Sequence, residues 1–243
     1  DDLFGALEIS AEGRSPLLYT HGYYIDFEKG CRRATILREA ADLDGRFLWF
    51  SWPSDGDLLN YASDESDLYW SAPSLERLIA DLVDRFGSGE VDVAGHSLGA
   101  RGVMLALDGL AARHPDARVG EVVLLAADID FQIFEQILPR IAPIARGITI
   151  YVADADRPLA ISRQLHGYPR LGETGNNVAS LSGVEVIDIS ALTLRSPTGH
   201  LYHVYNPQVA EDLAALLMDG QRASARPNLT QVGENLWQLT PSQ

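Results

Sequence analysis

The chain has 243 residues, a formal net charge of −15 and a sequence pI near 4.7. Its 46% apolar and 22% charged residues are those of a globular protein, and the length fits one α/β domain spanning 1–243 around a single sheet. Such acidity repels phosphate backbones and anionic membranes, which argues against a nucleic-acid partner, and the lone Cys31 excludes an intrachain disulfide or a zinc site built on paired cysteines.

No run approaches the ~18 apolar residues of a membrane span. Asp1-Asp2-Leu3-Phe4 has neither a basic n-region nor an initiator Met; we expect a cytoplasmic protein, or a periplasmic or secreted one after removal of an N-terminal segment. Gly5 to Ile9 reads as a weak strand and Leu17 to Thr20 as a strong one. Asp26 is placed to cap a helix carrying Phe27, Cys31 and Leu37, and Phe47 to Ser51 is the next strand. After the aromatic segment Tyr61 to Trp70, Leu75, Leu78, Ile79, Leu82, Val83 and Phe86 form one apolar helical stripe that stops at Gly87.

Further strands are expected at Val91 to Ala94, Val122 to Ala126, Ile148 to Val152 and Val184 to Ile189. A helix over Ala100 to Leu110 follows the first of them, and one helix fills Asp128 to Gly147. Asn206-Pro207 starts a helix that buries Val209, Leu213, Leu216 and Leu217 and ends at Gly220. Gln221 to Asn228 is polar enough for a linker, and Leu229 to Leu239 is either an edge segment or a loose tail. Strands alternating with helices imply a parallel sheet covered on both faces.

Gly95-His96-Ser97-Leu98-Gly99 follows a strand and precedes a helix, the context of a nucleophile elbow. Side chains at its two glycines would collide with neighbouring strand and helix backbone. Raised on that turn, Ser97 Oγ stands beyond the carboxyl edge of the sheet, beside helix N–H groups suited to developing negative charge.

A serine hydroxyl needs a histidine to take its proton and a carboxylate to orient that histidine. In the chain order that accompanies this elbow the histidine comes last, which leaves His200 and His203. His200 follows Gly199 in a Ser196-Pro197-Thr198-Gly199 loop and is preferred; His203 lies in Leu201 to Tyr205, where packing is its plain role. As a metal pair the two lack a third ligand. Asp156, past the strand that ends near Ala153, is the preferred acid, with Asp154 the close alternative and Asp128 or Asp130 more distant ones; surface turns use Asp freely.

His21-Gly22-Tyr23-Tyr24 leaves the Leu17 to Thr20 strand at the same edge, so the Tyr23 and Leu98 amides are the expected oxyanion-hole donors. His21 reads as a brace for that loop rather than a second base. Tyr24, Trp52, Tyr61 and Trp70 are the candidate substrate-binding aromatics, although Trp52 and Trp70 would serve equally well packing a long loop against the sheet.

From about Ser15 to Asp219 these residues resemble the α/β-hydrolase superfamily. Within it, Leu18 to Tyr23, Phe50 to Ser54, Gly95 to Gly99 and Ala127 to Asp130 look like a bacterial esterase/lipase-like family first defined as a domain of unknown function. The resemblance implies a mostly parallel eight-stranded sheet; the alternation of elements puts helices on both of its faces, and the single helix over Asp128 to Gly147 leads us to expect no large cap. It matches Ser97, Asp156 and His200 to the family's nucleophile, acid and base, while Pro158 stands where a smaller residue is implied. The expected activity is a carboxylesterase that cleaves small-molecule esters of short to medium chain through an acyl-serine, with no metal or organic cofactor. A lightly covered edge suits soluble esters better than interfacial lipase action. Thioesterase, amidase and lipase chemistry use the same machinery, and a non-catalytic ligand-binding protein on this fold is the rival from another class.

Overall fold

Neighbouring residues of the expected strands go to opposite faces of one sheet: Leu18 and Tyr19, Val122 and Val123, Leu124 and Leu125 divide between two separate apolar cores. A parallel strand covered on both faces must be apolar throughout, which is why these runs lack alternation. The computed structural model describes residues 2–57, 60–193, 196 and 198–241. In chain order its elements are α1 (Leu3–Ala11), β1 (Leu17–Thr20), α2 (Phe27–Ala40), β2 (Phe47–Phe50), α3 (Tyr61–Phe86), β3 (Asp92–His96), α4 (Leu98–Arg113), β4 (Val119–Leu125) and α5 (Phe131–Ile141). They continue with β5 (Ala145–Val152), α6 (Arg157–His166), β6 (Val184–Asp188), α7 (Tyr202–Tyr205), α8 (Pro207–Leu217), β7 (Leu229–Gln231) and β8 (Leu236–Leu239).

The strands form one eight-stranded sheet in the order β2-β1-β3-β4-β5-β6-β8-β7, parallel except for the β7/β8 pair at one edge. On one face α3, α4 and α5 bury Leu75, Ile79, Leu82, Val103, Leu107 and Phe134; on the other α2, α7 and α8 bury Leu37, Tyr202, Val209, Leu213 and Leu216. Because β3 lies between β1 and β4, the turn from β3 into α4 opens between the carboxyl ends of its two neighbours.

Four sequence expectations need correction. Gly5 to Ile9 lies within helix α1, not a strand: Asp2 accepts the Phe4 N–H, and the buried residues Leu7 and Ala11 are one helical turn apart. Tyr61 to Trp70 is the first part of α3 rather than a loop. Its buried side runs Asp64, Leu68, Ser71, Leu75, and the two polar members hid the helical period. Helix α2 starts at the Asp26 cap but buries Gly30, Ala34 and Leu37, leaving Phe27 and Cys31 exposed. Finally, α8 ends at Leu217 instead of Gly220, while the C-terminal segment settles as β7 and β8, with β8 paired to β6. Among the described residues no helix is long and apolar enough to cross a membrane.

Candidate active site

Ser97 joins β3 to α4 with φ 55° and ψ −123°, a backbone conformation that costs a non-glycine residue of order 1–3 kcal/mol and needs support from all sides. The support is steric and hydrogen-bonded. A Cβ on Gly95 would lie 2.6 Å from Ala100 Cα, and one on Gly99 2.3 Å from the His21 carbonyl oxygen. The Ser97 N–H donates to Leu125 O at 2.9 Å, and the Asp128 N–H donates to Ser97 O at 3.2 Å. Gly22 approaches from the β1–α2 loop so closely that a Cβ there would meet Ser97 Cβ at 2.7 Å. That loop therefore runs against the elbow, and Tyr23 and Ser97 line one cavity; on the elbow's other side the Leu98 N–H is the first of α4 and so one of the donors a helix leaves without an internal partner.

His200 is buried beside the elbow. Its Nδ1–H donates to Asp156 Oδ2 at 2.8 Å and Oδ1 at 2.9 Å, its ring packs on His96 at 4.6 Å between centroids, and its carbonyl accepts from His96 Nε2 at 3.1 Å. Asp156 holds Nδ1 and fixes the tautomer, which turns Nε2 into the nitrogen that can exchange a proton. Asp156 itself is pinned by a second duty as cap of α6, accepting the Leu159 N–H at 3.1 Å. Pro158 falls in the first turn of α6, where a missing N–H costs nothing. A Cβ on Gly199 would sit 2.3 Å from Ala155 O, so glycine is what lets the His200 loop close on the Asp156 loop.

The neighbouring histidines stay neutral. Burial pushes His21 down to about 4 and His203 to about 3, and His96 well below its ordinary value. His203 lies 3.2 Å from the Tyr19 hydroxyl and packs on His96. His21 stacks on Trp52 and accepts its Nε1–H on the carbonyl oxygen at 2.7 Å, which makes it a brace for the loop. Among the described residues no cluster of three or more His, Cys, Asp or Glu side chains could hold a metal ion.

The alternative carboxylates have other work. Asp154 is exposed, and Asp130 caps α5 through the Gln132 and Ile133 amides. Asp128 accepts from the Tyr61 hydroxyl at 2.5 Å and Ser162 Oγ at 2.6 Å, with the Arg101 and Arg170 guanidinium groups each 3.6 Å away. Asp128 and Ser162 form the polar wall of a cavity of about 330 Å³ in front of Ser97, and the two guanidinium groups stand outside its lining. Tyr23 and Tyr61, edge to face at 5.1 Å, make a second wall, and Pro158, Leu159, Ile161 and Leu165 from α6 a third.

Of the four aromatics expected to bind substrate, only Tyr61 is on this cavity. Trp52 is buried in a small cluster with Leu68 and Leu98, and Trp70 is 84% exposed on α3. Tyr24 turns away beneath Lys29, whose Nζ lies 3.9 Å from the ring centroid. Sequence reasoning missed the α6 wall and the Arg101–Asp128–Ser162 cluster. The spacing Leu159, Ser162, with Ile161 and Leu165 between and beyond, is a helical pattern that could have drawn attention to α6, but nothing local links it to Arg101.

Residues 6–219 match the family model described as an alpha/beta hydrolase of unknown function, DUF900. The chain is 29% identical to an uncharacterized protein of Nostoc sp. over a stretch that covers 35% of this chain and 28% of that relative's length. Among solved structures, the lin2722 gene product of Listeria innocua superposes with a TM-score of 0.54 at 11% identity, covering 93% of this chain and 98% of the other. A membrane phospholipase A described as a bacterial virulence factor does so with 0.51 at 16%, covering 86% and 80%. At these identities the likeness is one of fold. The family match runs from within α1 to just past α8, and so this chain belongs to the DUF900 family of alpha/beta hydrolases.

Proposed function

We propose that the protein is a carboxylesterase with Ser97 as nucleophile, His200 as base and Asp156 as the acid that orients it. The observation that carries this reading is the bidentate grip of Asp156 on His200 Nδ1 beside a serine held on a strained elbow. Ser97 Oγ attacks the ester carbonyl while His200 Nε2 takes its proton, and the oxyanion is met by the Leu98 and Tyr23 N–H groups. Collapse expels the alcohol, which receives the proton from His200, and leaves an acyl-serine. Water activated by His200 then releases the carboxylic acid and restores Ser97. The apolar α6 wall suits an acyl chain. Ile161 and Leu165 are 64% and 65% exposed, so this wall runs on past the cavity and favours the medium end of the chain-length range.

The test pairs an aryl-ester panel of increasing acyl length with labelling by a fluorophosphonate, which reacts readily only with an activated serine. We expect one label per chain and hydrolysis that falls by about 10⁴-fold or more in Ser97→Ala. A folded Ser97→Ala variant with wild-type turnover would remove the serine from the mechanism. An unlabelled wild type without esterase, thioesterase or amidase turnover would favour the ligand-binding alternative.

A further inference from the structure

An oxyanion hole works only if its donors are held before the charge develops, and one of the two proposed here sits on a loop. The two ends of that loop are fastened differently. Ahead of Tyr23, the His21 carbonyl accepts the Trp52 Nε1–H. Behind it, the Tyr24 N–H donates to Asp64 Oδ2 at 3.2 Å, and the Ile25 N–H donates at 3.0 Å to Ser54 Oγ, whose own hydroxyl donates to Asp64 Oδ2 at 2.5 Å. The other carboxylate oxygen accepts the Asp55 N–H at 3.2 Å. Asp64 has no solvent exposure and, among the described residues, no basic partner. A buried carboxylate without a cation is costly, and here its hydrogen bonds all go to the two loops at the carboxyl edge.

Tyr24 needs that help. Its φ of 64° is left-handed, unusual for a bulky residue, and the chain's single lysine, Lys29, adds a bond from Nζ to Tyr24 O at 3.1 Å. One turn along α3 from Asp64, Leu68 packs on Gly102 of α4, where a Cβ would lie 2.8 Å from Leu68 Cδ1. The helix that anchors the Tyr23 loop is thereby locked to the helix that begins with the Leu98 donor.

Resting on the esterase reading above, we infer that Asp64 is a positioning residue for the reaction. Through Tyr24 and Ser54 it fixes the Tyr23 amide against Ser97, so that both oxyanion donors are set by one rigid pair of helices. Asp64→Asn keeps the shape but replaces one accepting oxygen with an NH₂ that faces a donor. We expect kcat to fall about 10- to 100-fold with KM within about twofold. Affinity for an aryl boronic acid, whose serine adduct mimics the tetrahedral intermediate, should fall by the same factor as kcat/KM. Asp212→Asn is the control away from both helices: it disturbs a buried carboxylate of α8 bonded to the Tyr151 hydroxyl at 2.5 Å and to Arg226 at 2.8 Å, and should lower the melting temperature without moving kcat. An Asp64→Asn protein that melts earlier yet keeps kcat and boronate affinity overturns the inference. If that variant does not fold, Ser54→Ala decides: reduced kcat with preserved KM supports the role, and unchanged kcat overturns it. Fluorophosphonate labelling separates the two levels, because an unlabelled wild type refutes the serine mechanism itself, whereas a labelled wild type beside a fully active Asp64→Asn refutes only the role of Asp64.

Discussion

The two edges of the sheet handle charge differently. At the amino edge, buried Asp92 and Glu121 are matched by arginines: Arg46 donates to Asp92 at 2.6 Å, Arg146 reaches Asp92 at 3.1 Å and Glu121 at 3.0 Å, and Arg222 contacts Glu121. At the carboxyl edge His21, His96 and His203 are buried and uncharged, and Ser97, Tyr24 and Ala126 hold positive φ. One edge matches its buried carboxylates with arginines; the other surrounds the pair of Asp156 with His200 by neutral rings and holds its further buried carboxylates apart from it, Asp64 on amides and a hydroxyl and Asp128 beside Arg101 and Arg170. A second charge beside that pair would compete for the imidazole, so neutral neighbours are what leave His200 under the control of one carboxylate.

The contrast predicts that function and stability can be damaged separately. Asp156→Asn should lower kcat by about 10⁴-fold, because an amide favours the wrong imidazole tautomer, while the melting temperature hardly moves, because asparagine caps a helix as well as aspartate does. Steady-state kinetics beside a thermal melt would show it, and a large drop in melting temperature would mean that the carboxylate chiefly serves the fold. Asp92→Asn should do the reverse. It leaves Arg46 buried against a neutral partner and should cost about 3–5 kcal/mol in urea unfolding, with kcat within about twofold of wild type. Matching losses in both quantities would mean that the edges are not separable.

Acid should act on stability through the buried rings. His21 and His203 titrate near 4 and 3 when folded and near 6.5 when unfolded, so the unfolded chain binds more protons below pH 6.5. Their contribution is whole above pH 6.5 and is lost as pH falls toward 4 and 3. Between pH 7 and pH 5 each should remove about 2 kcal/mol, read as a shift of the urea midpoint. A midpoint that is flat over this range would show that these imidazoles are not held neutral.

How much of this was legible in the sequence follows from how local each feature is. The central strands were readable because burial on both faces imposes an apolar run. The elbow was readable because the collisions that demand Gly95 and Gly99 involve backbone within a few residues or at the end of the adjoining strand. Asp156 stood out less from Asp154, although a cap signal was present in Asp156-Arg157-Pro158-Leu159. The aromatics were opaque, since a tryptophan stacked on a loop histidine, as Trp52 is, and one exposed on a helix, as Trp70 is, have similar sequence surroundings. Farther still from view was the cavity's polar wall, where Tyr61, Asp128 and Ser162 meet across as many as 101 positions with Arg101 behind them.

Asp156 receives the first turn of α6 and the ring of His200 on the same oxygen, Oδ1. The pitch of a surface helix and the aim of an imidazole are therefore one mechanical variable. A strain applied at the outer end of α6, such as a ligand wedged against Ile161 and Leu165, would be delivered to the His200 ring without any contact between them.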